Sequence, residues 1–300
     1  MLDKFLDKIP TDKIYEQLLQ PSFQNVGEAL GTLFSLGNLV LLPLKLQDQK
    51  ARLRFDANLK RYAKKLEETP AEEICEVPPH VGLPLLDKLT YLDQQELSEA
   101  FINLLTKAST RSTAQLVHPS FVMALNNLAA DEAKILFHYK HTESIPRLDL
   151  YIKKEAALPG DLLPHSTPTG GGGKTASTLQ PPHEVNTRIA WNLTGVETFV
   201  KLDFPENVDV YVENLEKLGI VALEQDVQLK KDLKIFQQLE RKIYKANISK
   251  SQKWVQELNR KHPELQYTLY TRKSYYYFTE YGKMFRKACI REVGETNPDT

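Results

Sequence analysis

A segment rich in proline and glycine, residues 158–183, interrupts the chain near its middle. It holds five prolines and five glycines, and leucine is its only large apolar residue. Because such a segment cannot bury enough apolar surface to offset the entropy lost on ordering, the sequence predicts a flexible linker over residues 158–184. Helices and strands must then be built from the residues on either side.

The middle of this segment reads TPTGGGGKT (residues 167–175) and superficially resembles a nucleotide-binding loop. In the pattern Gly-x-x-x-x-Gly-Lys-Ser/Thr, backbone N–H groups of the turn surround the phosphates. With Gly173, Lys174 and Thr175 in the last three places, Pro168 stands where the first glycine belongs, and proline has no N–H to donate. The pattern therefore predicts no nucleotide site and no cofactor.

Helical patterns dominate the rest of the chain. The clearest one begins at Asp93, predicted as an N-cap with Glu96 three residues later, and carries apolar residues on one face. His118 and Pro119 open another helix, because proline is tolerated at a first helical position. Further helices are predicted over residues 11–20, 25–68 with a break at Pro43, 131–141, 205–218 ending at Gly219, 227–262 as one long helix or a helical pair, and 280–293 capped by Thr279.

The predicted β-structure is small. Residues 147–154 alternate as a strand, and residues 265–279 are interpreted as a hairpin turning at 272–274. The prolines of residues 77–84, VPPHVGLP, predict a rigid loop. The order of helices, strand, hairpin and closing helix resembles a winged helix. The predicted fold is mainly α with a small β-hairpin: a helical region over residues 1–112, followed by a winged-helix-like module over 113–300 that carries the linker and the 227–262 insertion.

An uncharged apolar run extends over residues 29–44. It is shorter than the roughly 20 apolar residues that a membrane-spanning helix needs, and it contains glycine, serine, threonine and asparagine. A helix buried in a helical core is the favoured interpretation, and small residues at four-residue spacing keep a membrane-inserting helix as the alternative. The candidate residues for contact with a partner or membrane are Leu33, Phe34, Leu36, Leu39 and Val40.

Charge argues against nucleic acid as a partner of the whole chain. Thirty-nine basic and thirty-nine acidic side chains cancel, so any such partner would need a local patch. The helix that would read DNA in a winged helix carries four carboxylates in residues 206–216 against Lys217, which repels phosphate. A candidate basic patch lies instead on the closing helix and comprises Lys283, Arg286, Lys287 and Arg291.

No pattern of residues indicates catalysis. His138 and His141 lie near Asp131 and Glu132, but no third ligand follows at a diagnostic metal spacing. Cys289 falls on an apolar helix face and is predicted to be a core thiol. The two cysteines form no CxxC pair, which favours a reducing, intracellular compartment without a disulfide or zinc framework. The sequence therefore predicts no enzyme and no metal site.

Several stretches resemble the bacterial Abi-alpha family of abortive-infection proteins. The resemblance covers most of residues 25–291 and is strongest over 77–136. The stretches are VPPHVGLPLLDKLTYL, ELSEAFINLLTKAST, VHPSFVMALNNLAADEAKIL, YVENLEKLGIV and YYFTEYGKMFRKAC. It implies a role in defence against bacteriophage beside a partner protein, and it supplies no catalytic residue.

Taken with that resemblance, the sequence predicts a non-enzymatic defence protein that acts through protein–protein contacts. Its expected location is the cytoplasm, where it could associate with the inner membrane through residues 29–44. Two alternatives remain open: a winged-helix DNA-binding regulator and a membrane-perturbing effector. The sequence leaves the oligomeric state undetermined.

Overall fold

The chain forms two units that alternate along the sequence. Unit 1 comprises residues 1–144, 199–222 and 277–300, and unit 2 comprises 145–198 and 223–276. Residues 113–144 thus lie in the same unit as residues 1–112.

The structure, a computed structural model, describes residues 24–35, 48–156, 185–225, 233–243, 248–263 and 265–291. Three predictions therefore lie outside the described residues: the helix at 11–20, the linker at 158–184 and the apolar residues 36–44.

Unit 1 is built from helices, which confirms the prediction of a mainly α protein. A π-helical turn, Arg286–Ile290, closes it, and short 3₁₀ turns occur at Ala71–Glu73 and Pro205–Asn207. The described helices are α1 (Gln24–Ser35), α2 (Gln49–Glu67), α3 (Pro79–Leu89), α4 (Gln95–Ala108), α5 (Arg111–Ala114), α6 (Pro119–Asn126), α7 (Ala130–His138), α9 (Val208–Lys217) and α12 (Glu280–Phe285).

Helix α4 forms the centre of unit 1. Of its 14 residues, all from Leu97 to Ala108 except Glu99 are buried, as expected of a helix surrounded by other helices. Its buried polar side chains have partners: Asn103 Nδ2 donates to the carbonyl of Cys289 at 3.0 Å, and Lys107 Nζ donates to the carbonyl of Arg291. These two bonds occupy carbonyls at the end of the closing helix, where orphan acceptors need donors.

The residues predicted to open α4 and α6 have different outcomes. His118 caps α6, since its Nδ1 accepts the Ser120 N–H at 3.2 Å. The predicted Asp93 cap of α4 is wrong, because its carboxylate binds Arg54 Nη2 at 2.7 Å and the helix begins after Gln94. An ion pair with another helix has displaced the local capping bond.

The predicted loop over residues 77–84 is also wrong, because helix α3 begins at Pro79. Pro79 occupies the first helical position, where its missing N–H has no partner to lose. Pro84 lies inside the helix and removes one backbone hydrogen bond. Burial of Val81, Leu85 and Leu86 offsets that loss and outweighs the local preference for a loop.

Two glycines fix the end of α9 and the approach of the closing helix. Gly219 has φ of +71°, a left-handed conformation that ends α9 where the sequence predicted. The predicted Thr279 cap is confirmed, because its Oγ1 accepts the Gly282 N–H at 2.9 Å. A Cβ on Gly282 would lie 1.9 Å from the carbonyl oxygen of Ile220, so glycine permits this close backbone approach.

Unit 2 contains most of a four-stranded antiparallel sheet with strand order β2-β1-β4-β3. In register, Tyr151 of β1 faces Arg188 of β2 and Leu150 faces Ala190, so β2 gains one residue in a bulge. The predicted insertion is a helical pair, and Asn259 of its second helix exchanges hydrogen bonds with the Tyr267 backbone of β4 at 2.8 and 2.9 Å. The elements are β1 (Ser144–Ala156), β2 (Val185–Leu193), α8 (Val196–Phe199), β3 (Val221–Gln225), α10 (Leu233–Ile243), α11 (Ser249–Lys261) and β4 (Leu265–Phe278).

The hairpin predicted to turn at residues 272–274 does not form. Leu265–Phe278 is one strand of 14 residues that lies between β1 and β3 in the sheet. Its place inside the sheet keeps the chain extended, and Arg272, Lys273 and Ser274 include no residue that demands a turn. The resemblance to a winged helix, which depended on this hairpin, is not confirmed.

Candidate interaction surface

Helix α9 and the turn before it expose apolar side chains among acidic ones. Phe204 is 58% exposed and Val210 is 63% exposed. Exposed apolar patches with a polar rim mark contact sites for other proteins. The exposed carboxylates of the same segment are Asp203, Glu206, Asp209, Glu213 and Glu216. We call this set, with Phe204 and Val210, the α9 surface.

Asp131, at the start of α7, fixes the backbone that carries Phe204. Its carboxylate accepts the N–H groups of Asp203 and Phe204, each at 2.9 Å, and the hydroxyl of Tyr211 at 3.1 Å. Asp131 itself is buried. Phe204 is therefore held towards solvent by an anchored turn.

A lysine completes the charge balance around Asp131. Lys134 Nζ lies 2.9 Å from carboxylate oxygens of both Asp131 and Asp203. Burial alone would raise the pKa of Asp131, but the bonds from Asp203, Lys134, Phe204 and Tyr211 hold it below its ordinary value. Asp131 consequently stays ionised at neutral pH and keeps its acceptor role.

A second carboxylate fixes the inner side of α9. Glu132 accepts the Ala129 N–H at 2.7 Å, in the manner of a capping box, and accepts Asn214 Nδ2 at 3.0 Å. Asn214 Nδ2 also lies 3.0 Å from the carbonyl oxygen of Asn127. Burial raises the pKa of Glu132. The first turn of α7 thus holds both ends of the segment that forms the α9 surface.

A metal site formed by Asp131, Glu132, His138 and His141 was considered from the sequence. The contacts above show what its two carboxylates bind. Asp131 and Glu132 bind the 203–204 backbone and Asn214 rather than converging on His138 and His141. Within the described ranges, no group of three His, Cys, Asp or Glu residues is arranged to hold a metal ion.

The four residues of the candidate basic patch do not share one surface. Arg286 is 1% exposed, whereas Lys283 and Lys287 are exposed. Lys283 pairs with Glu280 at 2.7 Å, and Arg291 Nε donates to the carbonyl of Lys140 at 3.0 Å. The prediction that Arg286 belongs to an exposed patch is wrong. It assumed that a cation on an amphipathic helix lies on the solvated face.

Arg286 instead joins the closing helix to the end of α7. Its Nη1 donates to the carbonyls of Tyr139 at 2.7 Å and Thr142 at 2.6 Å, and its guanidinium lies 3.6 Å from the ring centroid of Phe278. Burial, with Arg291 nearby, lowers the pKa of Arg286 to about 10, so the group remains charged at neutral pH. The carbonyl dipoles and the aromatic face stabilise that charge.

The apolar candidates of residues 29–44 are described only in part. Ala29, Leu30 and Leu33 of α1 are buried, which confirms a core role for this portion. Leu33 is therefore unavailable to a partner or a membrane. The side chain of Phe34 and all of Leu36, Leu39 and Val40 lie outside the described residues.

Two further observations concern the length of the apolar helices and the buried thiol. No helix in the described part of the chain has the length and apolarity needed to cross a membrane. Cys289 is fully buried, and burial raises the pKa of its thiol, which confirms the prediction of a core cysteine.

Sequence reasoning missed the α9 surface, although part of its signal was present. Phe204 and Pro205 stand directly before an acidic amphipathic helix, a pattern that was weighed only for DNA binding. The anchoring of Phe204 could not be seen, because Asp131 lies 73 residues earlier in the chain.

Comparison with known proteins places the chain in a family. No curated protein and no solved structure matches it. The family model described as abortive infection alpha matches residues 54–289, which include helices α3 to α9, the sheet and most of the closing helix. The chain belongs to the abortive infection alpha family.

Proposed function

We propose that this protein is a non-enzymatic component of bacterial defence against bacteriophage, and that it acts by binding a protein partner through the α9 surface. The family membership supports the defence role. The observation that carries the binding role is Phe204, an aromatic side chain 58% exposed on a turn whose backbone Asp131 anchors. The same proposal locates the protein in the cytoplasm.

An anchored aromatic residue is well suited to the centre of an interface. Aromatic side chains supply much of the binding free energy of protein complexes when they enter a pocket on the partner. Because the turn of Phe204 is already fixed, little conformational entropy is lost on binding. The α9 surface therefore presents a binding anchor that needs little rearrangement.

The charges around Phe204 indicate the partner's chemistry. Five exposed carboxylates lie in the same segment as the two apolar side chains, against the ammonium groups of Lys201, Lys217 and Lys134, the last of which pairs with Asp203. A matching surface carries an apolar pocket bordered by lysine or arginine, because complementary charge steers association and excludes other partners. Binding should accordingly weaken as salt concentration rises.

Replacing Phe204 and Val210 with serine should abolish retention of the partner. The test compares affinity-tagged protein recovered from native host cells before and after infection. Loss of a central aromatic anchor costs roughly 2 kcal/mol or more, a decrease in affinity of about 30-fold. We expect proteins recovered with the wild type to be absent with Phe204→Ser/Val210→Ser.

Leu53→Ser is the matched control. Leu53 is 62% exposed on α2, so this variant removes an exposed apolar side chain of unit 1 that lies outside the α9 surface. We expect it to recover the same proteins as the wild type. Equal recovery by the Phe204/Val210 variant, or equal loss in both variants, would show that the α9 surface is not the specific contact.

A further inference from the structure

One face of the unit 2 sheet carries aromatic and basic side chains that are exposed or, for Tyr151, half-buried. Tyr151 of β1 and Tyr270 of β4 stack with ring centroids 5.3 Å apart and planes 16° from parallel. Arg188 of β2 faces Tyr151 in register, and its guanidinium lies 5.1 Å from the ring centroid of Trp191. Trp191 is 56% exposed and Tyr270 is 37% exposed. These four residues form a row across three strands, which we call the aromatic row.

A β-bulge brings Trp191 into this row. Between the pairs Tyr151–Arg188 and Leu150–Ala190, β1 advances one residue and β2 advances two. The extra residue shifts the alternation of side chains, so that Arg188 and Trp191 share a face although they are three residues apart. A second register shift follows between Leu150–Ala190 and Leu148–Leu193, where Asn192 has φ of +58°. Trp191 stands between the two irregularities and is exposed to solvent.

Opposite faces of the sheet have different roles. On the other face, Phe236 of α10 contacts Tyr275 edge-on at 4.9 Å. Asn259 of α11 bonds to the Tyr267 backbone and so lies at the edge of β4. The row's own face is closed at one end, where Arg147 pairs with Asp149 at 3.0 Å and both are buried. The open part is the end that carries the aromatic row.

The positive charge of unit 2 favours binding of a polyanion. Its four strands carry six lysine or arginine residues and three acidic residues. Helices α10 and α11 together carry seven lysine or arginine residues and two acidic residues. Because the chain as a whole is neutral, this excess of positive charge is local to unit 2. A local patch is what nucleic-acid binding requires in such a chain, and the argument from the acidic α9 does not apply to the sheet.

We propose that the aromatic row binds single-stranded RNA. Unpaired bases stack on exposed aromatic rings of an antiparallel sheet, while arginine and lysine bind the phosphates. A double helix hides its bases from such a face. Gln266 and Thr268, exposed on β4 at alternate positions from Tyr270, offer uncharged hydrogen-bonding groups for the 2′-hydroxyl that separates RNA from DNA. This site is independent of the α9 surface and of its partner.

Tryptophan fluorescence tests the proposal directly, because the chain contains two tryptophans, Trp191 and Trp254. Trp254 is 48% exposed on α11 and serves as an internal control. In full-length Trp254→Phe protein, an unstructured RNA of about 12 nucleotides should quench the remaining Trp191 emission in a saturable manner. In Trp191→Phe protein, the same RNA should leave Trp254 emission nearly unchanged. Unchanged Trp191 emission, or equal quenching of both tryptophans, would overturn the proposal.

Affinity measured by fluorescence anisotropy with labelled RNA gives a second test. Tyr270→Ala and Arg188→Glu should each weaken binding about tenfold or more, and Arg188→Glu should also reduce the salt dependence by about one phosphate contact. Lys253→Glu, the same charge reversal at an exposed position of α11, should change affinity less than about threefold. Circular dichroism verifies that each variant is folded. Equal weakening by Arg188→Glu and Lys253→Glu would overturn the site.

Competing ligands settle the identity of the occupant. Duplex RNA and single-stranded DNA of the same sequence should bind more weakly than the single-stranded RNA. Equal or tighter binding of either would overturn the assignment to single-stranded RNA, and so would absence of RNA binding at ~50 mM salt, where phosphate contacts are strong.

Discussion

Replacing Asp131 with alanine should lower the free energy of unfolding by about 3–5 kcal/mol, the range seen when one partner of a buried charge pair is removed. The Asp131 carboxylate accepts two backbone N–H groups and the Tyr211 hydroxyl, and it pairs with Lys134. Alanine leaves these donors without an acceptor in a buried site. Urea unfolding followed by far-ultraviolet circular dichroism measures the loss.

Asp203→Ala is the matched control for this change. Asp203 shares Lys134 as a partner but is 61% exposed, so its ion pair contributes about 1 kcal/mol or less. If the two alanine variants lost equal stability, the backbone bonds to Asp131 would contribute nothing, contrary to the geometry.

The pH dependence of stability gives the sign of the Asp131 contribution. The pKa of Asp131 lies below its ordinary value in the folded chain, so its contribution is fully present above about pH 4 and is lost as pH falls further. The difference in Tm between wild type and Asp131→Asn should therefore stay constant from about pH 7 to 5 and shrink below about pH 4. A difference that grew on acidification would contradict the lowered pKa.

Arg286→Ala should destabilise the protein by a similar amount, about 3–5 kcal/mol. The change removes two charge-assisted hydrogen bonds to the Tyr139 and Thr142 carbonyls and the contact with the Phe278 ring. It also leaves a cavity in place of a side chain that is 1% exposed. The measurement is again urea unfolding.

The neighbouring basic residue provides the control. Lys287 is exposed on the same helix, and Lys287→Ala should change stability by no more than about 0.5 kcal/mol. If both variants changed the free energy of unfolding by similarly small amounts, Arg286 would instead belong to the solvated patch that the sequence predicted.

Helix positions could be predicted from the sequence where the signals act within one turn. The His118 and Thr279 caps and the left-handed Gly219 are such signals, since each acts on a backbone group two or three residues away. Local chemistry decides these positions, so the rest of the fold has little influence on them.

The failed predictions are those that tertiary contacts decide. Asp93 fits an N-cap locally, but Arg54, 39 residues earlier, binds its carboxylate. Pro79 and Pro84 suggest a loop, but the apolar residues between and after them are buried in a helical core. The strand β4 continues through residues 272–274 because it is an inner strand of the sheet, between β1 and β3.

The candidate sites depended even more on distant residues. Arg286 binds the Tyr139 carbonyl, which is 147 residues away, and the Phe204 turn binds Asp131 across 73 residues. The Tyr151–Tyr270 stack likewise joins strands far apart in sequence. A single sequence contains no signal for pairs of residues that are distant along the chain and in contact in the fold. The mismatch with the nucleotide-loop pattern, in contrast, depends on one residue, Pro168.

Phage plating on a host that lacks the gene and carries a variant in its place tests the proposed defence role most directly. The comparison uses wild type, Phe204→Ser/Val210→Ser and Leu53→Ser at equal protein levels across a broad panel of phages. The account predicts that some phages plate poorly with wild type and with Leu53→Ser, yet plate on Phe204→Ser/Val210→Ser as well as on the deletion. Unchanged plating on wild type and deletion, or full protection by Phe204→Ser/Val210→Ser, would contradict it.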